Sequence, residues 1–233
     1  MRGENMLMKN WDDIPKDIKN DEVKIYYDIL KDRKISLLIK RCFDILFSLI
    51  LLILLSPAFL LIAILIKLDS KGPVFFRQER VTTYKRIFRI FKFRTMVNNA
   101  DKIGSQVTVE NDSRVTKIGK YLRKVRLDEI PQLINILIGD MSFVGTRPEV
   151  LKYVDRYSDE MKATLLMPAG VTSLASIKFK DEEKLLNDKE NVDDVYVNEV
   201  LPLKMEYNLE YIKRFNFFYD IKLLFKTFFA VIK

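Results

Sequence analysis

Residues 45–66 read ILFSLILLILLSPAFLLIAILI, a run without a charge, bounded by Asp44 and Lys67 and interrupted near its middle by Ser56-Pro57. A helix needs roughly 20 apolar residues to cross a bilayer, so length alone admits a span. Two features oppose one. Lys31, Arg33, Lys34, Lys40 and Arg41 precede the run and Lys67, Lys71, Arg77 and Arg80 follow it, and the cytoplasmic bias of basic residues places both flanks on one side. Pro57 also lacks an N–H and clashes with the preceding turn, while the Ser56 hydroxyl can satisfy a freed backbone group. The residues leave two readings open, a kinked spanning helix and a helix-break-helix that dips into one leaflet and returns; the pattern leans to the second.

The length of 233 residues suits one sizeable domain with membrane-associated appendages. Lys and Arg total 40 against 32 Asp and Glu, a formal net charge of +8, which favours nucleic acid, phosphorylated substrates or an acidic leaflet as partners. The apolar run favours the last two. There is no histidine and the one cysteine is Cys42. That excludes Ser-His-Asp and Cys-His nucleophile systems, an ordinary zinc site and an intramolecular disulfide. Carboxylates, Lys, Arg and Tyr are left for any chemistry, and the natural metal is oxygen-ligated Mg²⁺. The N-terminus is polar and mixed in charge, so the apolar run begins too late for a secretory signal and no cleavage is expected.

Beyond the run, Gly72-Pro73 marks a turn and Val74–Phe76 a short strand or loop at the membrane surface. RIFRIFKFRTM, residues 86–96, alternates basic and apolar side chains. It reads as a half-buried strand with a solvated basic face; a sharper reading has it present Lys92 and Arg94 to phosphates, and the pattern by itself favours the first. In residues 119–145, Leu133, Ile134, Leu137 and Ile138 form a stripe at helical spacing, Gly139 supplies a stop, and Pro131 belongs in a first turn. This predicts a helix starting near Asp128 or Glu129. Adjacent carboxylates at a helix N-terminus are most often an acidic cap. Neighbours on a helix point about 100° apart, so the pair need not share a proton. One could ligate a metal or attack phosphorus while the other handles a proton. Arg123, Lys124 and Arg126 precede the pair and Arg147 follows, enough to neutralise a phosphate. Residues 204–233 repeat Phe217, Phe218, Ile221, Leu224, Phe225, Phe228 and Phe229 at helical spacing among Lys213, Arg214, Lys222 and Lys226. They fit a core helix or an interfacial one.

From about Lys40 onward, five blocks stand in an order that resembles the bacterial sugar transferases, the monotopic phosphoglycosyl transferases in their small form. They are KRCFD with the SP-containing apolar helix, GPVFFRQERV, FKFRTM, TKIGKYLRKVRLDEIPQLINILIGDMSFVGTRP and MPAGVTSLASIKF. The resemblance implies a re-entrant hairpin broken at Ser56-Pro57. It makes Asp128 the nucleophile towards the sugar-bearing phosphorus of a nucleoside diphosphate sugar, with Glu129 assisting Mg²⁺ or deprotonating the acceptor, and both carboxylates near the metal. Lys92, Arg94, Arg123 and Arg147 match basic positions of the family's site and are assigned to phosphates, as is Lys180 of IKFK. The product implied is a polyprenyl diphosphate sugar, made from a UDP-sugar and undecaprenyl phosphate for surface polysaccharide or glycoconjugate synthesis.

The expected architecture is α+β and mostly helical. Residues 1–35 form a polar segment outside the resemblance, a helical lead-in or a tail; residues 36–68 form the re-entrant membrane hairpin; residues 69–233 form a small cytoplasmic catalytic domain with interfacial amphipathic C-terminal helices. The place implied is the cytoplasmic face of the bacterial inner membrane. Expected partners are the two substrates and the leaflet, with downstream glycosyltransferases and a homodimer compatible, and no nucleic acid. Three departures from the family pattern stand out: Thr146 in GTRP, Ser173 in AGVTS and Thr82 in RVT. They point to donor choice, since a changed loop alters pocket shape before chemistry. An inactive membrane scaffold and a membrane-tethered nucleic-acid binder are the competing function classes; a requirement for the Asp-Glu pair and Mg²⁺ would separate them from an enzyme.

Overall fold

The computed structural model describes residues 8–100, 112–179 and 192–232. After a 3₁₀ turn at Trp11–Asp13, the Asn20 side chain accepts from Val23 N and caps helix α1 (Asp21–Lys31), with Asp21 and Glu22 in the first turn and Lys31 in the last, as the helix dipole favours. Ile14, Ile18, Val23, Tyr26, Tyr27 and Leu30 are buried in the main core. Tyr26 Oη donates to Glu160 Oε1 at 2.5 Å, and Arg33 Nη1 to Phe215 O at 2.5 Å. The segment that reads as a polar lead-in is thus a wall of the domain: its charges face out and its apolar minority faces in.

The apolar run forms two helices, α2 (Lys34–Leu54) and α3 (Ser56–Asp69), bent by 62° at the break. Ser56 Oγ donates to Ile53 O at 2.8 Å, and Pro57 lies in the first turn of α3, where a missing N–H costs nothing. Among the described residues no single helix is long and apolar enough to cross a membrane, while the bent pair together has the length and composition. Leu46, Ile53, Leu54, Leu60, Leu61 and Leu68 are exposed.

Both ends of this hairpin are fastened to one folded unit. At the root of α2, buried Lys40 donates to Val144 O at 2.7 Å and to Asp220 Oδ2 at 2.5 Å, Arg41 donates to Ile136 O and Leu137 O, and Asp44 Oδ1 accepts from Phe143 N at 3.1 Å. At the far end of α3, Ile62 and Ile66 pack on Phe93 and Leu122 in a second, smaller core. Replacing Lys40 by methionine strands the Asp220 carboxylate in the interior, so a loss of about 3–5 kcal/mol is expected in denaturant unfolding. The double change Lys40→Met with Asp220→Leu should recover most of it.

Strand β1 (Phe75–Thr82) pairs antiparallel with β2 (Arg86–Phe93), from Phe75↔Phe93 to Thr82↔Arg86, around a turn whose Tyr84 and Lys85 have positive φ. The strand is half-buried, as the sequence reads: Phe88 and Ile90 enter the main core while Arg86 and Arg89 are exposed; the basic face is not uniform, since Ile87 is exposed too and Lys92 turns inward to Glu129. Thr116 Oγ1 accepts from Gly119 N to cap helix α4 (Lys117–Lys124). A Cβ on Gly119 would lie 2.1 Å from Thr95 O, so only glycine fits there. Arg126 then takes a left-handed conformation (φ 57°), Leu127–Glu129 form a 3₁₀ turn, and helix α5 (Gln132–Ile138) ends at left-handed Gly139.

The helix therefore starts at Gln132, later than the sequence predicted, and its buried positions are Gln132, Leu133, Asn135 and Ile136, with Ile138 exposed. The reason is Asn135. Its side chain accepts from Phe91 N at 2.8 Å and donates to Arg89 O at 3.0 Å, satisfying the open edge of β2 and rotating the helix away from its apolar stripe.

A short parallel pair, β3 (Met141–Val144) and β4 (Ala169–Thr172), stands behind α5. Between them run α6 (Leu151–Val154) and a 3₁₀ stretch at Met161–Leu166. Ser173 caps α7 (Leu174–Lys178). The chain closes with α8 (Val192–Val195), a π turn at Tyr196–Val200, α9 (Leu201–Arg214) and α10 (Phe217–Ile232). On α10, Asp220 and Leu223 are buried while Phe218, Phe225, Phe228 and Phe229 are exposed, so the helix carries both a core face and a bare aromatic one. The whole is α+β and mostly helical.

Candidate active site

Asp128 and Glu129 lie in the 3₁₀ turn ahead of α5, between left-handed Arg126 and Pro131. The turn gives the two adjacent side chains different surroundings. Asp128 is buried, and burial pushes its carboxyl above the usual range against the pull of Lys92, Arg123 and Arg147. For Glu129 burial works the same way, but Arg147 and Lys92 outweigh it and hold the carboxyl well below the usual range. A single oxygen, Oε1, receives both cations, Arg147 Nη2 at 2.6 Å and Lys92 Nζ at 2.9 Å. The pair thus contains one carboxylate with enhanced basicity and one fixed anion.

The two face different cavities. Asp128 lines one of about 500 Å³ with Arg80, Lys92, Arg94, Arg114 and Arg123. Glu129 lines another of about 460 Å³ with Arg147, Lys124, Arg126 and Gln132. Lys92 belongs to the first and Arg147 to the second, so the Lys92–Glu129–Arg147 ion pair is the partition between them. A third cavity, of about 290 Å³ behind the root of α2, also has basic walls. Its Lys40 is paired to Asp220 and its Arg86 to Asp140, and Arg41 closes the end of α5.

The predicted site residues divide accordingly. Lys92, Arg123 and Asp128 meet in the first cavity, and Arg123 Nε donates to Thr95 Oγ1 at 3.0 Å. Arg94 lines the same cavity, but its guanidinium donates to Ser70 O at 2.7 Å, Ser70 Oγ at 2.9 Å and Lys71 O at 3.1 Å, closing the C-terminus of α3. A Cβ on Gly72 (φ 132°) would meet that guanidinium at 1.9 Å. Ser56 and Pro57 hold the hairpin break, and the adjoining Leu55 reaches the second cavity. Lys180 lies outside the described residues.

Arg80 and Arg114 also line the first cavity; in the sequence Arg80 figures only as a basic flank and within GPVFFRQERV, and Arg114 does not stand out. Arg80 is set there by Gln78 Oε1 at 2.7 Å and Pro148 O at 3.3 Å. Two of the departures from the family pattern have local structural uses. Thr82 Oγ1 donates to Asp140 O at 2.8 Å and accepts from Ala169 N at 3.2 Å, and Ser173 is the α7 cap.

Among the described residues no three acidic, His or Cys side chains cluster as a ready metal cage. Mg²⁺ commonly takes one or two carboxylates and completes its shell with water and substrate phosphates. Asp128, in a roomy cavity, fits that donor set as one carboxylate; Glu129 lines the neighbouring cavity and has one oxygen engaged by Lys92 and Arg147.

A charge-removal test of the pair uses Lys92. Its ammonium lowers the Asp128 pKa, so Lys92→Met should raise it and shift the acid limb of a kcat/KM profile to higher pH. An unmoved limb would show that Lys92 does not feel the Asp128 charge.

The acidic pair thus stands between two cavities with basic side chains in their walls, a setting suited to anionic ligands. Residues 35–233 match the bacterial sugar transferase family, and the chain belongs to it. It is 39% identical over 192 residues to the UDP-N-acetylgalactosamine-undecaprenyl-phosphate N-acetylgalactosaminephosphotransferase of Aeromonas hydrophila, covering 81% of this chain and 42% of that protein. It is 37% identical over 200 residues to the UDP-glucose:undecaprenyl-phosphate glucose-1-phosphate transferase of Escherichia coli K12, covering 84% and 40%. The chain thus spans about two-fifths of the length of these relatives. The exopolysaccharide production protein ExoY of Sinorhizobium fredii is nearer in length, 32% identical over 214 residues with 85% and 88% covered.

Proposed function

We propose that this protein transfers a sugar 1-phosphate from a UDP-sugar to polyprenyl phosphate in two displacements through a phosphosugar on Asp128. The observation that carries the reading is the split carboxylate pair at the wall of a basic cavity. Asp128 Oδ attacks the phosphorus that bears the sugar; the bond from that phosphorus to the bridging oxygen breaks, and the nucleoside monophosphate leaves with the electron pair. An acceptor phosphate oxygen then attacks the same phosphorus, the Asp128 Oδ–P bond breaks, and the carboxylate is restored with a diphosphate formed. A carboxylate with raised pKa is the better nucleophile, and a desolvated cationic cavity stabilises the phosphoryl charge. Lys92, Arg123, Arg80 and Arg114 orient the donor phosphates. Glu129, held far below neutrality, is a poor proton acceptor and serves to keep Lys92 and Arg147 in place. Mg²⁺, when bound at these carboxylates, would neutralise the donor diphosphate.

The hairpin is read as re-entrant from the cytoplasmic face of a bacterial inner membrane. Support comes from the attachment of both its ends to one domain, which opposite sides of a bilayer would forbid. Depth agrees. Beyond Asp44, which is held in the domain, α2 continues to Leu54, about 15 Å of helix at ~1.5 Å per residue; with the 62° bend shared by both arms, the vertex lies roughly 8 Å down, inside one leaflet of a ~30 Å hydrocarbon core.

Detergent-solubilised protein, undecaprenyl phosphate and Mg²⁺ with a panel of UDP-sugars test the reading. UMP release with one sugar, lost on chelation, is expected; no UMP from any sugar would remove the transferase reading in favour of a scaffold.

A further inference from the structure

The second cavity has features that donor binding does not use. Its far wall is apolar: Leu51 and Leu55 come from the last turns of α2 at the hairpin break, Leu133 and Ile136 from α5, Phe143 from β3 and Ala230 from α10. Its near end is cationic, with Lys124 and Arg126 exposed and neither having an ion-pair partner among the described residues. Gln132 also lines it, 2% exposed, and its Nε2 has no hydrogen-bond partner among the described residues. A buried amide donor left unpaired is unfavourable, and an anionic oxygen arriving in the cavity would pair it. Arg126 carries a second cost, a left-handed backbone at a non-glycine residue, which aims this part of the turn at the same place.

We propose that this cavity is the acceptor site, in which a lipid phosphate monoester, a polyprenyl phosphate, sets its phosphate against Lys124, Arg126 and Gln132 Nε2 and its first isoprene units against Leu51 and Leu55. The assignment rests on the transferase reading and deepens it. The chemistry required is an anion on a long apolar tail, and the lining of the cavity combines cations and a buried amide with apolar side chains that include Leu51 and Leu55 beside the hairpin break. A nucleoside diphosphate sugar has no use for that apolar lining. In-line displacement requires the acceptor oxygen to approach phosphorus from the side the nucleotide left, so the phosphate must pass the Lys92–Glu129–Arg147 partition, drawing Arg147 towards it. The acceptor attacks as its dianion, and no proton has to be removed; this suits a neighbour, Glu129, that is a poor base.

The test separates the two half-reactions. Labelled UMP exchanges into UDP-sugar by the first displacement alone, without acceptor; the full reaction yields KM for undecaprenyl phosphate. Lys124→Gln, Arg126→Gly (which keeps the left-handed backbone) and Gln132→Leu should each raise that KM about tenfold, the loss of one hydrogen bond to a charged group, with the exchange rate and donor KM within about twofold of wild type. Lys124 is exposed, so its variant reports even if Gln132→Leu folds poorly. An unchanged acceptor KM, or an exchange rate that falls in parallel with it, overturns the assignment. Competition by excess phosphatidylglycerol equal to that of undecaprenyl phosphate would also overturn it, in favour of a general phospholipid site. Absence of exchange in the wild type would instead sink the covalent two-step reading beneath it.

Discussion

Asp128→Asn should abolish UMP release and UMP exchange together, by a factor on the order of 10⁴ to 10⁶, the scale seen when a nucleophile is removed, and yet leave a protein at least as stable as the wild type. The two halves of this expectation come from one observation. Asp128 is buried and its carboxyl is pushed up by that burial, so the ionised form is a burden on the folded state. The sign is fixed by linkage: a carboxyl whose folded pKa lies above its unfolded one subtracts stability once pH exceeds both, and gives none of it back until pH falls through the folded value. Asparagine removes that charge without changing shape. A rise in the urea midpoint at neutral pH, alongside loss of activity, is the signature of a group kept for chemistry. A variant that lost activity by unfolding would show the opposite shift.

Arg147 carries the second large effect. Arg147 Nη2 donates to Glu129 Oε1 at 2.6 Å, and it is the larger of the two cationic influences that lower that carboxyl. Arg147→Met leaves Glu129 with Lys92 alone and takes a fork-shaped donor from the partition between the cavities. The expected loss in kcat/KM is about 10²- to 10³-fold, as for removal of other preorganised charge stabilisers. Arg147→Lys keeps the charge and loses the planar fork, so its activity should fall between the two. Equal activity of the lysine variant and wild type would show that only charge matters at this position. Thr146 beside it uses its carbonyl, which accepts from Gly170 N at 2.8 Å; a proline in its place would keep that contact.

The charged cluster is legible in the sequence through the family resemblance, since the residue pattern alone favours a solvated basic face for the strand and an acidic cap for the Asp-Glu pair. Lys92, Arg123 and Asp128 come together in one cavity and Glu129 and Arg147 in its neighbour, across segments separated by tens of positions. Arg94 shows the limit. In the strand pattern it is equivalent to Lys92, but the chain turns after Phe93 and its guanidinium meets the carbonyls that end α3; nothing local in FKFRTM distinguishes the two. Asn135 shows another. A polar residue buried to satisfy a strand edge inverts the apparent apolar stripe of its helix, and the partner strand lies more than forty residues upstream. In the first thirty-odd residues, read as a helical lead-in or a tail, a helix does form, and composition hid its packing: Tyr26, Tyr27 and Leu30 are few among many charges, yet they are buried in the core. Arg80 and Arg114 gain their place only from the β1–β2 hairpin and the return of the chain to it.

The central claim is a phosphosugar carried by Asp128, and the most direct measurement is the mass of the protein itself. Wild-type protein in detergent, mixed with its UDP-sugar and Mg²⁺ and no acceptor, quenched in acid and measured intact, should gain the mass of one sugar phosphate. The gain should map to the peptide that contains Asp128 and disappear on adding undecaprenyl phosphate. Unmodified protein throughout, with product forming only when both substrates are present together, would contradict the account and require direct transfer between them.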